Sequence, residues 1–177
     1  MLLVDVDGVL NPLGLPTHRP GFVSYAMKPD VWMVQHPGKD EDDVPDLDVW
    51  LNPAHGPALM ALPFQLIWAT TWEGEANDWI GWRIGLPRDV DLPFIAFGSQ
   101  DQPPRPDGTY IKTWPIVEYA AGRPFAWIDD QIGEADHEYV AEHHGGPALL
   151  HEIDPDTGLT DADFRALAEW AESLTRA

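Results

Sequence analysis

The chain contains no cysteine among its 177 residues, which excludes disulfides, thiolate nucleophiles and zinc–sulfur centres. It is also poor in positive charge, with 10 Lys and Arg against 30 Asp and Glu and a formal net charge of -20. A nucleic-acid binder draws much of its affinity from Lys and Arg that displace counterions from phosphates. Here no Lys/Arg cluster marks such a surface, and the average field repels polyanions and anionic membranes. No apolar run approaches the roughly 18 residues of a membrane span. Met1-Leu2-Leu3-Val4 runs straight into Asp5 and Asp7, with no basic region or long apolar signal segment before them. A soluble, cytoplasmic protein is the expectation. Internal repeats and low-complexity tails are likewise missing.

Hydrophobic residues make up 44% of the chain, enough for one well-cored domain over residues 1–177 and too few for two. Short apolar runs end at polar or glycine signals. Leu2-Leu3-Val4 stops at Asp5-Val6-Asp7-Gly8, residues 64–69 at Thr70-Thr71, 94–97 at Gly98, 125–128 at Asp129-Asp130, and 148–150 near His151. Runs of this kind suit buried strands of a parallel sheet. Helical patterns cover 57–61, 73–84, 112–121, 132–143 and a last helix opened by Thr160-Asp161-Ala162-Asp163, an N-cap with acidic first-turn residues. Gly122 closes the third of these and Pro124 follows. Strands alternating with helices predict an α/β fold: a doubly wound, mainly parallel, Rossmann-like sheet with helices on both faces. Residues 11–56 break the rhythm with many Pro and Gly. Three short strands over 22–27, 31–34 and 48–51 predict a small β-rich insertion after the first strand. The acidic stretch Asp40-Glu41-Asp42-Asp43 reads as a solvated turn.

Polar residues gather at the strand ends, where open α/β sheets bind ligands. Asp5 and Asp7 are two residues apart, on the same side of an extended backbone. Thr70 and Thr71 end the second run, Asp129 and Asp130 the fourth, and Lys112 opens the helix that feeds it. Singly these signals are ordinary. Asp-x-Asp-Gly is also an Asx turn, and a threonine before a helix is also a cap. A lysine at a helix start opposes the dipole, and adjacent acids after a buried strand repel without a counterion. The four in this order make a stronger pattern than any one of them.

Asp5-Val6-Asp7-Gly8-Val9-Leu10 resembles the first motif of the haloacid dehalogenase-like superfamily. Thr70, Lys112 and Trp127-Ile128-Asp129-Asp130 resemble its second, third and fourth motifs, over residues 1 to about 150. More loosely, residues 68–72 and 123–130 resemble a bacterial branch linked to RNA-repair proteins. The resemblance implies a magnesium-dependent phosphatase working through an aspartyl-phosphate, with Asp5 as nucleophile and Asp7 as general acid and base. Thr70 and Lys112 would hold the phosphoryl oxygens, with N–H groups of residues 6–8 as further donors. Asp5, Asp129 and the Asp7 backbone carbonyl would bind Mg²⁺, and Asp130 would ligate or orient a water. Thr70 is preferred to Thr71 because it directly ends the apolar run, and Thr71 is then expected to cap the helix.

Seven histidines include His137, His143, His144 and His151, without a His-Glu-x-x-His pattern. Nine tryptophans are present. Trp68 and Trp127 read as core, Trp79 and Trp82 as a packed helix face, and Trp72 as core or as a stacking surface at the substrate mouth. The expected substrate is a small phosphate monoester. A nucleic-acid end phosphatase, against which the acidity weighs, and a catalytically idle binding module are the alternatives.

Overall fold

A computed structural model describes residues 1–14, 20–98 and 105–176. Four parallel strands form the main sheet: β1 (Leu2–Val4), β4 (Leu66–Trp68), β5 (Phe125–Asp129) and β6 (Ala148–Glu152), in the spatial order β4-β1-β5-β6. β1 is central, pairing Val4 with Trp68 on one side and with Ile128 on the other. All three strands in this centre are wholly buried, which explains their unbroken apolar runs.

Helices cover both faces. Leu2, Val4, Trp68 and Ile128 share a core with Leu59 of α2 (His55–Met60), Ala76 of α3 (Glu75–Trp79) and Leu167 of α6 (Asp161–Arg176). Leu3, Ile67 and Trp127 pack on the other face with Ile116 of α4 (Thr113–Ala120) and Val140 of α5 (Glu134–His143). The chain is thus an α/β protein with a four-stranded parallel sheet between helices, compatible with a Rossmann-like fold. No described helix is long and apolar enough to cross a membrane.

Within residues 11–56, β2 (Val23–Met27) and β3 (Leu47–Leu51) form a two-stranded antiparallel sheet. The strand expected at 31–34 is instead a helical turn, α1 (Asp30–Met33). Pro29 begins it: its carbonyl accepts the amides of Trp32 and Met33 at 2.9 and 3.0 Å, and the Glu75 side chain accepts the free amide of Val31 at 2.9 Å. The acidic stretch forms an exposed 3₁₀ turn at Glu41–Asp43.

Two further expectations are corrected. The helix expected over 73–84 is broken into α3 and a 3₁₀ turn at Gly81–Arg83. Glu73 has φ +46°, a left-handed conformation that no helix interior accepts. The strand expected over 94–97 reduces to one parallel bridge between Trp68 and Phe94, with Pro93 lending only its carbonyl, to the Trp68 amide.

Candidate active site

The chain leaves β1 toward the face carrying α2 and leaves β5 toward the face carrying α5. These two strands are neighbours, so their carboxyl ends flank the crevice where parallel sheets bind ligands. Asp5 follows β1 directly and Asp129 ends β5. The Asp5 amide donates to the Ile128 carbonyl at 3.2 Å, which holds the two ends together.

Lys112 sits between them. Its Nζ lies 2.8 Å from Asp5 Oδ1 and 2.8 Å from Asp129 Oδ2, and the lysine is only 1% exposed. Burial alone would lower its pKa, but the two carboxylates outweigh this and hold it above the ordinary lysine value. Asp129 also accepts the Trp127 indole N–H at 3.2 Å and the Gln131 amide at 3.0 Å. Burial, then the nearness of Asp5, raises its pKa, and Lys112 offsets part of the rise. The helix start that presents Lys112 is tied down by Asp136. This buried carboxylate accepts the Tyr110 amide at 2.8 Å, the Thr113 hydroxyl, and the Gly133 amide at 2.8 Å. Asp136 is not among the site residues expected from the sequence, where it falls inside the helical pattern over 132–143.

Oxygens of Asp5, Asp129 and Asp130 converge within 4.8 Å of one another. Among the described residues, Asp130 Oδ1 is buried with no hydrogen-bond partner. Its pKa is raised by burial and then by Asp5. Gly8, at φ +77°, passes so close that a Cβ there would collide with the Asp130 carboxylate. No histidine belongs to this group. His151 instead pairs with Asp163 at 2.8 Å, and His143 stacks on Tyr139.

Asp7 is held apart from that cluster. Asn11 Nδ2 donates to its Oδ1 and Trp72 Nε1 to its Oδ2, both at 2.8 Å. Burial raises the Asp7 pKa above the usual carboxylate range, these two donors pull it partly back, and Asp5 adds to the rise. Asn11 also accepts the Trp50 amide at 2.9 Å, from β3, so the small sheet helps hold Asp7. Trp72 is 3% exposed. Its indole serves Asp7 with its edge, and the face expected to stack at a substrate mouth is packed in the core.

Thr70 is fully buried beyond the end of β4, and its Oγ1 accepts the Trp72 amide at 3.4 Å. Thr71 does not cap the next helix, because α3 begins only at Glu75, after Gly74. Of the expected N–H donors, that of Gly8 is already given to the Asn11 carbonyl at 2.9 Å. Next to Asp7 opens a cavity of about 330 Å³. It shares Val31, Gln35, Thr71 and Trp72 with a larger one of about 1070 Å³.

No family model matches this chain, and comparison with curated proteins and with solved structures finds no significant match.

Proposed function

We propose that the protein is a magnesium-dependent phosphatase of the haloacid dehalogenase-like kind, hydrolysing a small phosphate monoester through an aspartyl-phosphate. The observation that carries this reading is the division of labour among carboxylates at adjoining strand ends. Asp5, Asp129 and Asp130 converge around one point beside Lys112, while Asp7 is held separately with a raised pKa. Two carboxylates with different environments are what an acid and a nucleophile need.

The acidic cluster suits a hard cation. It offers only oxygen donors, and the buried, unpartnered Asp130 Oδ1 lacks the compensation that buried polar atoms otherwise find. Asp5, Asp129, Asp130 and the Asp7 carbonyl would hold Mg²⁺. When bound, the ion would offset the repulsion between the Asp5 carboxylate and a phosphoryl group. In this reading residues 11–56 act as a cap beside the strand ends, through β3 and α1.

An Asp5 oxygen attacks phosphorus, and the bond from phosphorus to the alcohol oxygen breaks with its electron pair on that oxygen. Asp7 gives that oxygen its proton. Water then attacks phosphorus of the aspartyl-phosphate and leaves a proton on Asp7, so that inorganic phosphate departs and Asp5 is regenerated. An ammonium has three donors. Two of those on Lys112 serve Asp5 and Asp129, and the third, with the Thr70 hydroxyl, holds phosphoryl oxygens.

The test is a screen of alkyl and aryl phosphates with Mg²⁺, comparing the wild type with Asp5→Asn. Turnover is expected to fall by about 10³-fold or more with an unchanged circular dichroism spectrum. Equal turnover in the variant, or none in the wild type, sinks the reading.

A further inference from the structure

The phosphatase reading implies where the alcohol half of the substrate lies. Asp7 can protonate only an oxygen within its hydrogen-bond reach, so the leaving group must occupy the space that Asp7 faces. That space is the cavity of about 330 Å³, and the larger one of about 1070 Å³ adjoins it across the shared residues Val31, Gln35, Thr71 and Trp72.

The lining of this space is chemically one-sided. Its apolar walls come from Leu13, Val31, Leu47 and Trp32, with Trp72 reaching it only at its edge. Besides Asp7, its ionisable groups are Asp48, Glu73 and Glu75, and among the described lining residues there is no lysine, arginine or histidine. Asp48 is exposed on β3. Glu73 Oε1 accepts the amides of Phe97 and Gly98 at 2.8 and 3.2 Å. Glu75 Oε1 serves Val31, whereas its Oε2 is buried without a partner among the described residues. Lys112 is committed to Asp5 and Asp129, and Lys28 is turned toward the Glu41 carbonyl and Asp46. A second phosphate or a carboxylate on the substrate would therefore meet like charge in a partly desolvated space, with nothing on the described walls to neutralise it. An ammonium would meet opposite charge, and an apolar body would displace water from the tryptophan and aliphatic walls.

We infer that the substrate is a phosphate monoester of an apolar alcohol that is cationic or uncharged, and that this cavity selects against anionic alcohols. This rests on the phosphatase reading, and the test separates the two. Its first arm omits phosphate. 4-(Aminomethyl)benzyl alcohol and 4-carboxybenzyl alcohol are titrated at neutral pH, following the Trp32 and Trp72 indole N–H resonances, identified with Trp32→Phe and Trp72→Phe. The ammonium compound is expected to move these resonances at concentrations about tenfold lower. Equal or tighter binding of the carboxylate, or no shift with either up to solubility, overturns the inference.

The second arm measures kcat/KM for the corresponding benzyl phosphates at low salt. The ammonium ester is expected to exceed the carboxylate ester about tenfold or more, and Asp48→Asn to shrink that ratio. Turnover that favours the carboxylate ester overturns the inference and leaves the phosphatase reading standing. Selective binding of the ammonium alcohol with no hydrolysis of either ester does the reverse: the cavity keeps its preference for cations and the phosphatase reading falls.

Discussion

Lys112 places one nitrogen 2.8 Å from each of two buried carboxylates. Removing one member of such a buried network leaves charges without compensation, at a cost of about 3–5 kcal/mol. Lys112→Met keeps the apolar stem and removes the charge. Its urea midpoint is expected to fall accordingly in the absence of divalent ions and to recover in part with Mg²⁺, which would replace the lost positive charge between Asp5 and Asp129. A variant as stable as the wild type without Mg²⁺ would mean that these carboxylates do not depend on Lys112. Asp7 illustrates the opposite arrangement. Its two donors, Asn11 and Trp72, are neutral, so they orient the carboxyl without stabilising its anion as strongly as a cation would.

At the scale of single elements, the start of α6 shows how a side chain both ends a loop and anchors a helix. Asp163 Oδ2 accepts the Thr160 amide at 2.8 Å and the Thr160 hydroxyl at 2.6 Å, and its Oδ1 faces His151 Nε2 at 2.8 Å. This is the carboxylate half of a capping box. Burial alone would raise the Asp163 pKa, but the hydrogen bonds from Thr160 and His151 outweigh it, and the folded value lies below the ordinary one. A depressed carboxylate stabilises the fold above the unfolded pKa of about 3.9 and loses that contribution as pH falls through the folded value. Asp163→Asn should therefore cost about 1 kcal/mol near pH 6. The gap between variant and wild type should close as pH drops below about 4. Urea midpoints at a series of pH values would check this, and a pH-independent gap would contradict the assignment.

For the molecule as a whole, a net charge of -20 loads the folded surface with self-repulsion, which acts against the compact state. Monovalent salt screens exposed charges over a Debye length of about 10 Å at 0.1 M but reaches buried pairs far less. Wild-type stability toward urea should consequently rise between low and moderate NaCl. The loss caused by Lys112→Met should stay nearly constant over the same range, because Lys112 is 1% exposed. A loss that shrank in parallel with screening would place this network in effective contact with solvent. The same net charge gives an average field that repels long polyanions.

The main sheet was legible in the sequence because each central strand is buried on both sides, and burial on both sides demands an uninterrupted apolar run such as Leu2-Leu3-Val4 or Phe125-Ala126-Trp127-Ile128. The same runs end where the sheet ends, which is why Asp5, Asp129 and Asp130 could be named and why they do converge. Lys112 was legible for a related reason, as a cation placed against the helix dipole at the head of α4. Elements that depend on distant partners were not legible. Where a strand was expected, α1 has its free Val31 amide taken by Glu75, 44 residues away, and the helix expected from residue 73 begins only at Glu75, because Glu73 turns back to bind Phe97 and Gly98. Trp72 is separated from Asp7 by 65 residues and Asp136 from Tyr110 by 26. Periodicity along the chain reports which side of an element meets the core. It carries no record of which polar atom a side chain will meet across the fold, so the supports of Asp7 and Lys112 were decided by tertiary structure alone.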